Sequence, residues 1–330
     1  MGIRGLTGWI KWAATNTIQE PTWNEWKGKT IGVDILGFLY NAKARNQCPL
    51  LYIGTLIASC KVYGIRIVPI FDGKPPDEKK NALLQRSKVR QESDVRRLHL
   101  TAELAKIPMT DGQRSVIETE VKKLEKRTPY LTSEERDQAK QLFYACGIVS
   151  FNATGEADGV LAYFAKRGVF DAVMSNDLDL LARGVETLLV PEHASLPGSS
   201  SGFKQYTLSK ILQTVGFSYT QFVEMCVLMG CDYTAGERSL PYKSAFWAIK
   251  YRGSIERTLE TFEVANIAVY KKSIEILRGE LETKETLMGE KQWEKWSAEP
   301  PNSEPETLVS LRKTVLEPLS EEEFRLLGLG

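Results

Sequence analysis

Short apolar runs alternate along this chain with polar stretches of helical period, and that alternation sets the expected fold. KTIGVDIL (29–36) reads as a short buried strand, residues 52–63 as a helix and IRIVPIF (65–71) as a second strand. From 77 to about 130 the chain is polar, highly charged and poor in aromatics, and reads as helices with an irregular middle around Pro108 to Gly112. Periodicity resumes in SEERDQAKQLFYACG (133–147), a predicted helix with Ser133 as its N-cap and Gly147 as its stop. IVSF, DAVMS and VETLLV then read as strands, separated by the helices GEADGVLAYFAKRG and NDLDLLARG. This strand–helix alternation predicts an α/β fold: a mostly parallel central sheet flanked by helices. PEHASLPGSSSG (191–202) reads as a loop, the rest as helical to about 297, and AEPPNSEPE (298–306) as a linker-like break before an acidic tail.

Composition narrows this picture only a little. The 330 residues carry a formal net charge of +1, so a nucleic-acid surface has to be a local patch. Five cysteines, an odd number without a C-x-x-C pair, argue against a disulfide framework or zinc site and for a reducing interior. No apolar run is long enough to span a membrane, MGIRGL lacks the apolar core of a signal peptide, and Leu6 stands where a myristoylation signal has Ser or Thr. An intracellular protein is expected, in nucleus or cytoplasm and without a clear import signal.

Candidate chemistry lies in the acids that follow the strands. Asp34 and Asp72 fall at or just after the first two strands, Glu156 and Asp158 open one helix, and Asp177 and Asp179 open another. Asp232, in MGCDYT, ends a further helix. In open α/β sheets ligands bind beyond the carboxyl ends of the strands. Any one of these acids is explained by the preference of Asp for helix starts and turns. The doublets E-x-D and D-x-D on consecutive strand–helix units are not. The only histidines, His99 and His193, are beside neither doublet, so an all-oxygen site suits Mg²⁺ or Mn²⁺ rather than zinc. Seven acids exceed what one Mg²⁺ needs, and two such ions can serve an in-line phosphoryl displacement.

Between Lys79 and Arg127 thirteen Lys/Arg face seven acids, the locally cationic stretch that the near-neutral total conceals. Clustered positive charge binds phosphate backbone; a solvated, charge-mixed helical face is the competing reading. The stretch begins directly after Asp72, and Lys79 and Arg86, seven apart, share a helical face.

With these residues in place, the chain resembles the flap endonuclease family of structure-specific 5′ nucleases. MGIRGL is similar to that family's N-terminus, FDGKPP (71–76) to its signature, GEADGVLAYFAKRG and SNDLDLLARG to its acidic doublets, and LMGCDYT (228–234) to its third acidic motif. The likeness runs from residue 1 to about 255. It implies a nuclease core over 1–260, with a helical arch insertion at 77–130 and a helix-two-turn-helix-like DNA-binding region at 219–250, then a C-terminal extension and tail over 261–330. It implies that Asp34, Asp72, Glu156, Asp158, Asp177, Asp179 and Asp232 hold two Mg²⁺ ions, with Mn²⁺ as substitute, and that Lys79, Arg86 and Asp179 are catalytic. Gly2 near the metals (once Met1 is removed), Tyr40 stacking on a base, Lys79, Arg86 and Lys243 are the implied nucleic-acid contacts. An ordinary core tyrosine is the competing reading of Tyr40. The implied reaction is phosphodiester hydrolysis in branched, flapped, nicked or gapped DNA, in replication, repair or recombination, by a monomer.

Three departures matter. Where the family has a Gly-Ile-Gly-like turn whose backbone holds phosphate and K⁺, this chain has Ser239, Leu240 and Pro241, within ERSLPYKSAFWAIK (237–250). Proline brings no N–H, so a weaker duplex grip is expected and a K⁺ site is in doubt. The interval from Asp34 to Asp72 is short, lacking the part that wedges a DNA junction and cradles a 3′ flap. The tail has no sliding-clamp motif beyond a faint echo in EEFRLLGLG, and Trp293 and Trp296 read as anchors of a terminal helix on the core rather than as base-stacking groups. An RNA-degrading nuclease and a catalytically silent nucleic-acid-binding scaffold are the alternatives, the latter disfavoured by the full acid set.

Overall fold

A computed structural model describes residues 2–105, 110–127, 131–191, 203–261, 266–280 and 282–288. The chain opens with α1 (Leu6–Ala13), then β1 (Thr30–Asp34), α2 (Ile35–Ala44), α3 (Pro49–Val62) and β2 (Arg66–Phe71). Two long helices follow, α4 (Lys80–Leu104) and α5 (Asp111–Arg127), then α6 (Ser133–Ala145), β3 (Phe151–Asn152), α7 (Ala157–Lys166), β4 (Ala172–Met174) and α8 (Asp179–Ala182). The rest comprises β5 (Thr187–Pro191), β6 (Phe203–Thr207), α9 (Leu208–Val215), α10 (Tyr219–Met229), α11 (Tyr242–Arg252), α12 (Ile255–Thr261), α13 (Ile267–Arg278) and α14 (Lys284–Met288).

The sheet runs β3-β2-β1-β4-β5-β6, parallel except for β6, which pairs antiparallel to β5. Alternate strand residues feed two cores, as the pleat requires. Val68, Ile70, Val173 and Leu188 join the cluster built on α1, α7 and α10. Ile67, Phe71, Met174 and Leu189 join the one under α2, α3 and α6. Pro69 cannot donate to a ladder. It lies on β2 where β3, which reaches only Ile70 and Phe71, has ended.

Several sequence expectations shift. Residues 203–207, expected to be helical, form β6 instead. Thr132, not Ser133, caps α6: its side chain accepts from the Glu135 N–H while Glu135 reaches back to the Thr132 N–H, a capping box that leaves Ser133 as the first helical residue. Gly112, expected in an irregular middle, lies inside α5, whose start is held by a reciprocal Thr110–Gln113 pair. The first 28 residues, given no element above, contain α1, with Trp9 fully buried against Phe222. The loop over 191–202, apart from Pro191, and the segment with Trp293, Trp296, the 298–306 break and the tail lie outside the described residues.

α4 and α5 pack on each other as a polar pair, with Arg96 bridging to Glu120 at 3.3 Å. α13 and α14 are bound to the body: Tyr270, Leu277, Leu287 and Met288 belong to the α7–α10 core. All five cysteines are free thiols. Among the described residues no helix is long and apolar enough to cross a membrane.

Candidate active site

Six of the seven acids sit on one edge of the sheet because each follows a strand or opens the helix after it, and Asp232 reaches the same edge from the turn after α10. Asp34 ends β1 and caps α2, its Oδ1 accepting the Gly37 N–H at 3.2 Å. Asp72 directly follows β2, and its Oδ1 accepts the Ala157 N–H at 2.6 Å, tying it to the first turn of α7. Glu156 precedes that helix and Asp158 lies in its first turn. Asp177 follows β4, Asp179 opens α8, and Asp232 opens a one-turn 3₁₀ helix after α10.

A chain of hydrogen bonds runs through the edge. The Ser175 hydroxyl donates to Asp34 Oδ2 at 2.9 Å and accepts the Asp177 N–H at 3.1 Å. Asp177 Oδ1 accepts the Asp179 N–H at 3.0 Å, and Asp179 Oδ1 accepts the Ile3 N–H at 2.6 Å. The N-terminal strand of residues thus presses on Asp179. A Cβ on Gly2 would overlap that carboxylate, which is why only glycine fits there.

Like charges withdrawn from water hold their protons. Burial, helped by the charge of Asp72, lifts the Asp34 carboxyl from the usual range to about 7, against the donors Gly37 and Ser175. Burial and then Asp177 raise Asp158 and Asp179 well above that range as well. Asp34, Glu156 and Asp232 add their charges to this mutual pressure.

Cations at and beyond the start of α4 answer it. Lys79, just before α4, pairs with Glu156 and with Asp232 (3.2 Å), and Arg86, on α4, pairs with Asp232 at 2.5 Å. Burial alone would strip a proton from Lys79, but Tyr233, Glu156 and Asp232 outweigh it and keep the ammonium charged. Three groups that sequence reasoning missed complete the site. They are Ser175, Tyr233, whose hydroxyl donates to Glu156 at 2.6 Å, and Arg183, paired with Glu156 at 3.3 Å. Ser175 and Arg183 flank the D-x-D doublet. A lone arginine within the apolar run LLARGVETLLV was the one available signal for the latter.

Of the remaining predicted residues, Tyr40 is 36% exposed on α2, which removes the core-tyrosine reading. Lys243 lies on α11, its ammonium 5.4 Å from the Trp12 ring centre. In the 237–241 turn the Leu240 N–H is already spent on the Leu228 carbonyl at 2.8 Å.

The donor set fits a hard divalent cation: seven carboxylates, several with raised proton affinity, and no histidine. The neighbouring Cys226 and Cys231 thiols are pushed up by burial and stay neutral, unlike metal ligands. Among the described residues no three acids stand drawn together as an ion's ligand shell, and Lys79, Arg86 and Arg183 hold oxygens of Glu156 and Asp232.

Comparison with known proteins agrees with this arrangement. Residues 1–93 match the XPG N-terminal domain and 147–232 the XPG I-region. Flap endonuclease 1 of Brugia malayi is 36% identical over 275 residues, 79% of this chain and 69% of the relative. That of Entamoeba dispar is 30% identical over 79% of this chain and 70% of its own. The chain belongs to the flap endonuclease family. Solved structures share the fold at low identity. The catalytic core of Rad2 in complex with DNA substrate aligns over 100% of both chains at 16% identity, TM-score 0.65. Flap endonuclease-1 from Methanococcus jannaschii aligns over 94% of each at 18%, TM-score 0.60. The Holliday junction-resolving enzyme GEN1, in complex with product DNA, Mg²⁺ and Mn²⁺, aligns over 98% of this chain and 71% of its own at 17%, TM-score 0.50. Both matched regions of this flap endonuclease relative contain acid doublets or strand-end acids of the site: Asp34 and Asp72 in the first, Glu156 to Asp232 in the second.

Proposed function

We propose that this family member is a divalent-metal-dependent 5′ nuclease that hydrolyses phosphodiester bonds in branched, flapped, nicked or gapped DNA. The observation that carries the reading is the meeting of Lys79 and Arg86 with Asp232 and Glu156 on the edge that holds all seven acids. An arch presenting two cations to a carboxylate cup suits a scissile phosphate, whose charge needs positive partners as the bond breaks.

Asp34, Asp72, Glu156, Asp158, Asp177, Asp179 and Asp232 would hold Mg²⁺ or Mn²⁺, as suits an all-oxygen donor set. Such ions supply Lewis acidity toward phosphoryl oxygens and a more acidic bound water. The Ile3 N–H, with Gly2 beside it, sets the Asp179 carboxylate; Ser175 sets Asp34. Lys79 and Arg86 move from carboxylate to phosphate when substrate enters. Tyr40, about 9 Å along α2 from Asp34, offers an exposed ring to a base next to the cut. The short α2–α3 connection, residues 45–48, supports a looser demand for a 3′ flap than in relatives with a wedge.

The test compares wild type with Asp177→Asn/Asp179→Asn on end-labelled 5′-flap DNA, nicked DNA and single-stranded RNA with Mg²⁺. Wild type is expected to cut the flap, and the double variant to be slower by at least about 100-fold. Equal rates for the two proteins would end the proposal, and faster cutting of RNA than of any branched DNA would reassign the substrate.

A further inference from the structure

Arg183 is a guanidinium 4% exposed, one residue beyond α8, with one nitrogen turned toward Glu156 and the other toward the chain after α13. Its Nη2 donates to the Tyr233 hydroxyl at 2.6 Å and to Glu156 Oε2 at 3.3 Å. Tyr233 in turn donates to the same Oε2 at 2.6 Å. One oxygen of Glu156 is therefore held from two directions, and the other is left to Lys79. The second arm of the guanidinium, Nη1, donates to Glu282 at 3.0 Å.

Glu282 belongs to a strap, residues 282–288, that bonds to Thr154 in the β3–α7 loop, which carries Glu156 and leads into Asp158 on α7. The Thr154 N–H donates to the Leu287 carbonyl at 2.9 Å, and the Thr154 hydroxyl donates to the Thr286 carbonyl. Leu287 and Met288 are buried. A Cβ on Gly159 would come within 2.9 Å of both Glu282 and Leu287, so the absent side chain is what admits the strap onto α7. Contacts from a segment more than 120 positions away thus converge on the β3–α7 loop and the first turn of α7, which carry Glu156 and Asp158.

We propose that Arg183 is a positioning residue for Glu156, and that the strap, through Glu282, sets where Arg183 stands. This rests on the nuclease reading above. A planar fork spans two carboxylates and a hydroxyl at once; the single nitrogen of lysine cannot. Positioning predicts an effect on ion binding as well as on turnover, because the orientation of Glu156 is what an ion would meet.

The experiment uses the full chain as wild type, Glu282→Gln, Glu282→Ala and Arg183→Lys. Calorimetric titration with Mn²⁺ alone, thermal midpoints, and kcat and KM on a 5′ flap below every midpoint are measured. Glu282 is partly exposed, so its variants fold even where Arg183→Lys does not. Glu282→Ala is expected to bind Mn²⁺ about tenfold more weakly and to lose about tenfold in kcat, with KM within about twofold; loss of a group that orients a ligand has this size. Glu282→Gln, which still accepts from Arg183, returns to within about threefold of wild type. A lowered midpoint with Mn²⁺ affinity and kcat unchanged in Glu282→Ala would overturn the inference and leave the nuclease reading standing. A wild-type chain that neither binds Mn²⁺ nor cuts would overturn the nuclease reading itself.

Discussion

Lys79 shows how one side chain serves two states. Its ammonium bridges Glu156 and Asp232, with side-chain exposures of 13%, 17% and 12%. On the proposed reading an incoming divalent cation would take the same oxygens. Lys79→Ala is therefore expected to act in opposite directions. Without metal the protein loses about 1–2 kcal/mol, since Arg86 still holds Asp232 and Arg183 still holds Glu156. Mn²⁺ binding tightens about tenfold, because no ammonium has to be displaced. Cleavage falls by about 100- to 1000-fold, the usual loss when a donor to developing phosphate charge is removed. Calorimetry and single-turnover rates on one preparation check all three, and weaker Mn²⁺ binding would show that Lys79 assists the ion instead of competing with it. Six of the acids were legible in the sequence because strand ends and doublets mark them, while Asp232, after a helix, was singled out by the resemblance of LMGCDYT. Ser175, Tyr233 and Arg183 were not, because their roles arise only where β1, α7, α8 and the turn after α10 meet in space.

At the scale of elements, the turn before α11 is where Ser239, Leu240 and Pro241 stand in place of the Gly-Ile-Gly-like pattern that the resemblance implies. Pro241 has no N–H to offer and the Leu240 N–H is spent on Leu228, so the backbone donors that would cradle a phosphate are missing at both positions. Arg4 also reaches the Ser239 hydroxyl at 3.2 Å, tying the turn to the N-terminal segment. Duplex affinity is expected to be the same in Na⁺ and K⁺ at equal ionic strength, measured by fluorescence anisotropy on a nicked hairpin. A Leu240→Ile/Pro241→Gly variant is expected to bind about three- to tenfold more tightly, one regained charge-assisted hydrogen bond's worth. Tighter binding of wild type in K⁺ would mean that this turn coordinates the ion despite its proline. The missing N–H was readable from residue type alone, since it is a covalent fact of proline, whereas its standing as a departure came from the resemblance. β6 was hidden for the opposite reason: FKQYT alternates too weakly to announce a strand, and its pairing with β5 across the intervening chain decides its state. Thr132 was displaced by one because Ser133 is also a good cap, and the reciprocal bond with Glu135 selects between them.

At the scale of the molecule, folding confines like charges that the unfolded chain keeps in water, and this makes stability depend on pH in a definite sense. The Asp34 carboxyl holds its proton up to about 7 in the folded protein, whereas an unfolded aspartate releases it near 4. Between those values the native state binds more protons than the unfolded state. Its stability is therefore greatest below the lower value and falls as pH rises through the upper one. Asp158 and Asp179, also raised, add in the same direction. A divalent ion bound among these acids, as proposed, would replace those protons, and its stabilising effect would grow as the protons leave. In scanning calorimetry the metal-free protein is expected to melt at a higher temperature near about pH 5.5 than near about pH 8 as far as these groups govern it, and millimolar Mg²⁺ is expected to raise the midpoint by several degrees at the higher pH but hardly at all at the lower. The difference between the two increments isolates the acids, because contributions from the rest of the fold cancel. An Mg²⁺ increment equal at both pH values would mean that the ion binds away from these carboxylates, and the cup would then have to be regarded as a charge cluster held together by Lys79, Arg86 and Arg183 alone.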